Sequence, residues 1–263
     1  MLDIRDPGLI DGVLALAMFF AILGALRLGR WIGQRSLKRH GAAGLQSISS
    51  LETAVFGLLG LLIAFTFSGA LTRFDVRRAQ VVDEANAMGT AWLRLDLLPA
   101  SAQPQMRDTF KAYVDSRIAT YRKIDDVDAA RHELDRSQQL QSQIWRQAVA
   151  ALKQPDARPG AELLVLPAMN TMFDLTTVRV VATQMHPPIV IYWMLVLLAL
   201  AAALLAGYQV AGEQGYAWVH KIGFALIIAL TIFLILDLEY PRRGFVRIDA
   251  IDQVLINARA GMK

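Results

Sequence analysis

Four long apolar runs, separated by polar stretches of very unequal length, dominate the chain. They are Leu9–Leu28, Thr53–Thr72, Pro187–Val210 and Val219–Leu238. Each is close to the roughly 20 apolar residues needed to cross a hydrocarbon core. The second and third carry no charge. The first has Asp11 and Arg27 near its ends, and the fourth has Lys221 and Asp237, where such side chains reach the interface. Tyr192, Trp193, Tyr216, Trp218 and Tyr240 also sit near run ends, as amphipathic rings do at headgroup level. The first run does not read as a cleaved signal. Asp3 and Asp6 outweigh Arg5 before it, and the basic cluster follows it, the reverse of a secretory leader. All four runs are expected to be retained spans.

The second run opens on Ser49-Ser50-Leu51-Glu52, a capping-box pattern, and no proline follows until Pro99. Beyond it, Phe74, Val81, Ala85, Met88, Trp92 and Leu95 fall on one helical face. One helix from Leu51 to about Leu97 is therefore expected, roughly 70 Å long at the standard rise. A second polar helix should start at Pro104, with Met106, Phe110, Tyr113, Val114 and Tyr121 as its apolar side. A third runs from about Val127 to Lys153, its Gln-rich middle predicting a weakly buried element. A loop with Pro155, Pro159 and Gly160 precedes a fourth, Ala161 to Met185, expected to be interrupted near Pro167. The tail carries an apolar stripe at Val246, Ile251, Val254 and Leu255. The expectation is an all-α membrane protein with four transmembrane helices, a mainly helical extramembrane domain, and a second span that continues as a long helix. Its parts are 1–72 (two spans and a basic loop), 73–186 (the polar domain), 187–240 (two spans) and 241–263 (a tail packed on the polar domain).

Composition agrees. Of 263 residues, 55% are hydrophobic and 19% charged, against about 25% charged in soluble domains. Cysteine is absent, which excludes disulfides, thiol chemistry and zinc–thiolate sites. The net charge of +4 does not point to nucleic acid, because Arg27, Arg30, Arg35, Lys38 and Arg39 cluster beside an apolar run, as membrane orientation requires.

Catalytic patterns are missing. His40, His132, His186 and His220 are scattered, and no phosphate-binding loop, dinucleotide fingerprint, metalloprotease pair or nucleophile elbow occurs. Neither an enzyme nor a cofactor or metal is expected. Asp125, Asp126, Asp128, His132 and Glu133 could be drawn as a metal site, but acids at a helix start favour its dipole. Asp83 and Glu84 near Arg77, Arg78 and Asn86 read as ion-pairing groups within the helix or between subunits. Asp237 reads as a partner for Arg242 or Arg243 at the headgroups.

The second run has two further rows. Gly60, Ala64, Ser68 and Thr72 recur every four residues, which permits close helix packing in lipid. Gly57, Leu61, Phe65, Gly69 and Arg73 form another row, rotated from the first. Spacing leaves two readings for it: a buried core seam, or an apolar pore constriction opening onto a basic mouth.

The stretch Leu62 to Phe74, L-I-A-F-T-F-S-G-A-L-T-R-F, resembles the second membrane helix of bestrophin anion channels, which runs into a Thr-Arg-aromatic ending. The chain is more closely similar to the bacterial bestrophin-like domain family. The resemblance rests on Arg77-Arg78, on Val82 to Ala91 (V-D-E-A-N-A-M-G-T-A), on Leu93 to Pro99 (L-R-L-D-L-L-P), on Asn170 through Asp174 to Arg179, and on Asp237-Leu238 with Pro241-Arg242-Arg243-Gly244. It covers roughly 50 to 260. Two departures stand out: Phe74-Asp75 replaces the paired tryptophans after the bestrophin arginine, and the acidic calcium-binding run after the fourth span is absent.

The resemblance implies a homo-oligomeric ring, a pentamer first, with the second span lining an anion-conducting pore: Gly57, Leu61, Phe65, Gly69 and Arg73 on the pore, Gly60, Ala64 and Ser68 packing neighbours, and Arg77, Arg78, Glu84, Asp237, Arg242 and Arg243 as motif ion pairs. Its partners would be the bilayer and inorganic anions, in a bacterial inner membrane. The alternative is a non-conducting membrane-anchored helical scaffold or sensor. Sidedness is divided. The basic first loop places itself in the cytoplasm and the polar domain outside, whereas the resemblance implies a cytoplasmic domain, and the latter is taken as the expectation.

Overall fold

The computed structural model describes residues 7–40, 49–124, 126–212, 218–242 and 245–263. The order is α1 (Pro7–His40), α2 (Ser49–Arg94), a 3-10 turn (Leu95–Leu97), α3 (Gln103–Arg122), α4 (Val127–Leu152), α5 (Glu162–Gln184), α6 (Ile189–Gln209), a 3-10 turn (Val210–Gly212), α7 (Trp218–Glu239), a 3-10 turn (Asp249–Asp252) and α8 (Gln253–Ala260). Among the described residues there is no strand, and four helices are long and apolar enough to cross a membrane. The chain is an all-α membrane protein. Its second span does continue as one helix through Arg94, because nothing between Ser49 and Pro99 removes a backbone donor. The chain divides into two compact units: 1–74 with 186–246, and 75–185 with 247–263.

The first unit holds the spans. The α1 helix continues past its apolar run through the basic cluster to His40 and packs against α6 and α7. Glycine makes the α1–α6 approach possible. A Cβ on Gly29 would lie 1.9 Å from the Leu204 carbonyl oxygen, and one on Gly33 2.5 Å from that of Tyr208. From the other side, a Cβ on Gly207 would lie 2.1 Å from the Leu26 carbonyl oxygen. The two backbones touch, which is how helices associate in lipid without a hydrophobic drive. The Tyr208 hydroxyl donates to Ser36 Oγ at 2.8 Å. Ala199, Ala202 and Ala203 on α6 and Ala225 and Ala229 on α7 are buried too. The α2 span buries Leu59, Ala70 and Phe74 and leaves most of its surface exposed.

The second unit has an aqueous-type core. The α2 stripe read from the sequence, Val81, Ala85, Met88, Trp92 and Leu95, is buried against Met106, Phe110, Tyr113 and Val114 of α3 and Met169 and Met172 of α5. Ile144 and Ala148 of α4, with Leu255 and Met262 near the C-terminus, complete it.

Two expectations change here. The α5 helix is not interrupted at Pro167. The proline lies near its start, where only one intrahelical bond is lost, and Arg94 Nη1 donates to the adjacent Leu164 carbonyl at 2.6 Å. The Gln-rich α4 also buries a polar strip, including Glu133 and Ser137. That strip is satisfied internally: Ser116 Oγ donates to the Glu133 carbonyl at 2.8 Å, and Ser137 Oγ to that of Leu134 at 2.7 Å.

Candidate functional site

The exposure of α2 in the first unit follows directly from helical periodicity. Leu59, Ala70 and Phe74 face inward, and both rows picked out by spacing lie off that side. Gly57, Leu61 and Phe65 are exposed, Leu61 at 53% and Phe65 at 69%. Gly60, Ala64 and Ser68 are exposed as well, while Gly69 is half-buried. Two large apolar side chains and a run of small ones are thus left largely uncovered by the described residues.

Arg73 ends the first row and is paired. Its guanidinium lies back over Gly69, where a Cβ would come 3.2 Å from Nη1. From there Nε donates to Glu239 Oε1 at 2.9 Å and Oε2 at 3.1 Å, and Nη2 pairs with Oε1. Glu239, at the end of α7, went unnoticed in the sequence. It is 166 residues from Arg73 and falls outside the quoted motif segments. Asp237, two residues earlier, is fully buried. Its carboxylate accepts the backbone N–H groups of Phe245 at 2.7 Å and Val246 at 2.8 Å, pinning the turn that follows α7. Arg242 is buried in that turn, and Arg243 lies outside the described residues.

In the second unit, Glu84 is the centre of a buried charge cluster. Its partners come from other helices rather than its own: Arg117 Nε of α3 at 2.8 Å, and Arg179 Nη1 of α5. Glu84 and Arg117 side chains are both 0% exposed. Both guanidiniums also face the ring of Tyr121, at 5.1 Å for Arg117 and 3.9 Å for Arg179. Arg117 Nη2 donates to the Tyr121 hydroxyl at 2.8 Å. Burial opposes the Arg117 charge, but the neighbouring Tyr121, Glu84 and Tyr113 oxygens outweigh it and hold its pKa above the ordinary value. Burial, reinforced by the Glu84 carboxylate, pushes the Tyr113 hydroxyl up to about 12. Tyr113 therefore stays neutral and shares a hydrogen bond with Thr176 at 2.7 Å. Arg77 closes the end of α5, donating to the carbonyls of Ala182 at 3.1 Å and Met185 at 3.0 Å, which have no intrahelical partner. Arg78 pairs with Asp75 at 3.4 Å on the surface, a contact of little energetic weight.

The acids at the start of α4 are in structural use. Asp126 caps the helix by accepting the Ala129 N–H at 3.0 Å. A hydrogen bond from Lys123 holds the Glu133 carboxyl below its usual range. Asp128 faces Arg131, and Asp125 lies outside the described residues. Among the described residues, no group of His, Asp and Glu is arranged to hold a metal.

The family profile described as Bestrophin-like domain matches residues 19–251. Three solved structures share the architecture. A bacterial bestrophin homologue from Klebsiella pneumoniae with one tryptophan-to-alanine change gives a TM-score of 0.68 at 14% identity, covering 94% of this chain and 98% of that one. Its tyrosine-to-alanine counterpart gives 0.62 at 14% identity, covering 91% and 99%. A membrane protein with a proline-to-alanine change gives 0.61 at 15% identity, covering 92% and 98%. No curated protein sequence matches. At such identities the structural likeness establishes the fold, while the profile match spans nearly the whole chain. On that match, this chain belongs to the Bestrophin-like domain family.

Proposed function

We propose that the chain is one subunit of a homo-oligomeric ion channel, pentameric and anion-preferring, with α2 lining the pore. The observation that carries this reading is the α2 span itself. It is the least enclosed of the four membrane helices, and it exposes an uncharged face of small residues beside Leu61 and Phe65. A row of Gly60, Ala64 and Ser68 lets copies of the helix approach closely around an axis. Gly57, Leu61 and Phe65 would then form an apolar constriction that gates by dewetting, with Arg73 at its wider end. Family membership supports a channel-like role, and the fold shared with bacterial bestrophin homologues supports the architecture.

Replacing Leu61 and Phe65 together by alanine should raise single-channel conductance severalfold in reconstituted bilayers, by widening and wetting the ring. Arg73→Glu should shift reversal potentials away from chloride. If neither wild type nor the double variant passes current, the chain is a non-conducting scaffold or sensor instead. We assign no catalytic role.

We place the 73–186 domain and the tail in the cytoplasm of a bacterium, below its inner membrane. Because the native chain has no cysteine, single-cysteine reporters give clean topology. Cysteines at Gln138 and Lys263 should react only from the cytoplasm, and one at Gln34 only from outside. The opposite pattern would restore the orientation favoured by the basic first loop.

A further inference from the structure

Three chain segments of the first unit meet at the end of the second span. Arg73 comes from α2, Glu239 from the end of α7, and His186 from the segment entering α6. The Glu239 side chain is 0% exposed, whereas Arg73 is 31% exposed, so the carboxylate lies beneath the guanidinium. His186 Nδ1 stands 3.6 Å from Glu239 Oε2, the oxygen that also accepts from Arg73 Nε at 3.1 Å. The imidazole is held there by stacking on Tyr240, with centroids 4.9 Å apart and planes 28° apart.

Glu239 at the end of α7 and Tyr240 just after it face the imidazole, and Arg73 of α2 faces it through Glu239. Asp237 is occupied by the Phe245 and Val246 N–H groups. Arg242 is buried in the turn after α7.

A lone arginine at a pore mouth presents a permanent positive charge. Here that charge is cancelled by a buried carboxylate, and the neighbouring group is the side-chain type whose charge changes between about pH 5 and 8. We propose that Arg73, Glu239 and His186 act as one charge unit, and that Glu239 and the protonation of His186, rather than Arg73 alone, set ion preference at this mouth. With neutral imidazole the unit is formally uncharged. With imidazolium it carries one positive charge, in a setting where burial weakens screening. This inference rests on the pore reading of α2.

Reversal potentials in a sodium chloride gradient across reconstituted bilayers test it, at about pH 8 and about pH 5.5, the two sides of the imidazole range. In wild type, the chloride-to-sodium permeability ratio should rise severalfold at the lower pH. His186→Gln should remove that rise and hold the high-pH ratio throughout. Glu239→Gln should raise the ratio at the higher pH, because it unmasks Arg73. If Glu239→Gln does not assemble, the wild-type and His186→Gln series decide, since His186→Gln leaves the Arg73–Glu239 pair in place. Currents whose selectivity is indifferent to pH, or whose pH response survives in His186→Gln, overturn the charge unit and leave the channel standing. Absence of current in wild type and in the Leu61→Ala, Phe65→Ala variant overturns the channel reading, and this inference with it.

Discussion

Glu84→Gln is expected to destabilise the extramembrane unit by about 3–5 kcal/mol, the usual consequence of leaving a buried charge without its partner. Glu84 is the shared carboxylate for Arg117 and Arg179, and the Glu84 and Arg117 side chains are wholly buried. Removing its charge leaves two guanidiniums against Tyr121, with Asp252 3.9 Å from Arg179. The thermal midpoint in detergent should fall by roughly 10 °C or more. A compensating variant separates charge from shape. Glu84→Leu with Arg117→Met and Arg179→Met removes every member of the cluster, and well-packed apolar replacements of buried ion pairs are often neutral or stabilising. The triple variant should therefore recover most of the loss. If Glu84→Gln melts within a degree of wild type, the cluster is not electrostatically coupled as described.

Gly29→Ala and Gly207→Ala should each disrupt the first unit, although one methyl group is the smallest change a side chain can make. At both positions the added carbon meets a backbone carbonyl, at 1.9 Å from Leu204 and 2.1 Å from Leu26. A flexible side chain could yield to it, but a helix backbone yields only if α1 and α6 separate. Ordinary overpacking costs about 1–3 kcal/mol. Here, where whole helices must part, loss of more than about 3 kcal/mol is expected, seen as aggregation on size-exclusion chromatography or a collapsed melting transition. Gly24 on the same helix is the control. A Cβ there meets nothing within 4 Å, so Gly24→Ala should stay within about 0.5 kcal/mol of wild type. A stable, monodisperse Gly29→Ala protein would mean that α1 and α6 do not lie this close.

Much of the fold is visible in local pattern. The spans follow from run length against bilayer thickness, and the long α2 from the absence of proline and the unbroken phase of Val81, Ala85, Met88, Trp92 and Leu95. The α1–α6 contact had a signal too, since Gly29 and Gly33 are four residues apart. The basic residues interleaved with them drew attention to charge instead. Pro167 misled for the opposite reason: its helix-breaking tendency is a local prior, and near a helix start tertiary contacts override it.

The sequence by itself determined which segments enter the membrane and which helical faces are apolar, because both depend on neighbours within a few residues. It also narrowed attention to Glu84, Asp237 and Arg73 as charges in unusual places. Their partners were decided only by the tertiary structure. Glu84 reaches Arg117 and Arg179 across 33 and 95 residues, and Arg73 reaches Glu239 across 166. No periodicity encodes such pairs. The side chain that compensates a buried charge is set by which helix ends the fold brings together, so the pairing of Arg73 at the end of the α2 span became readable only once α2 and α7 were in place.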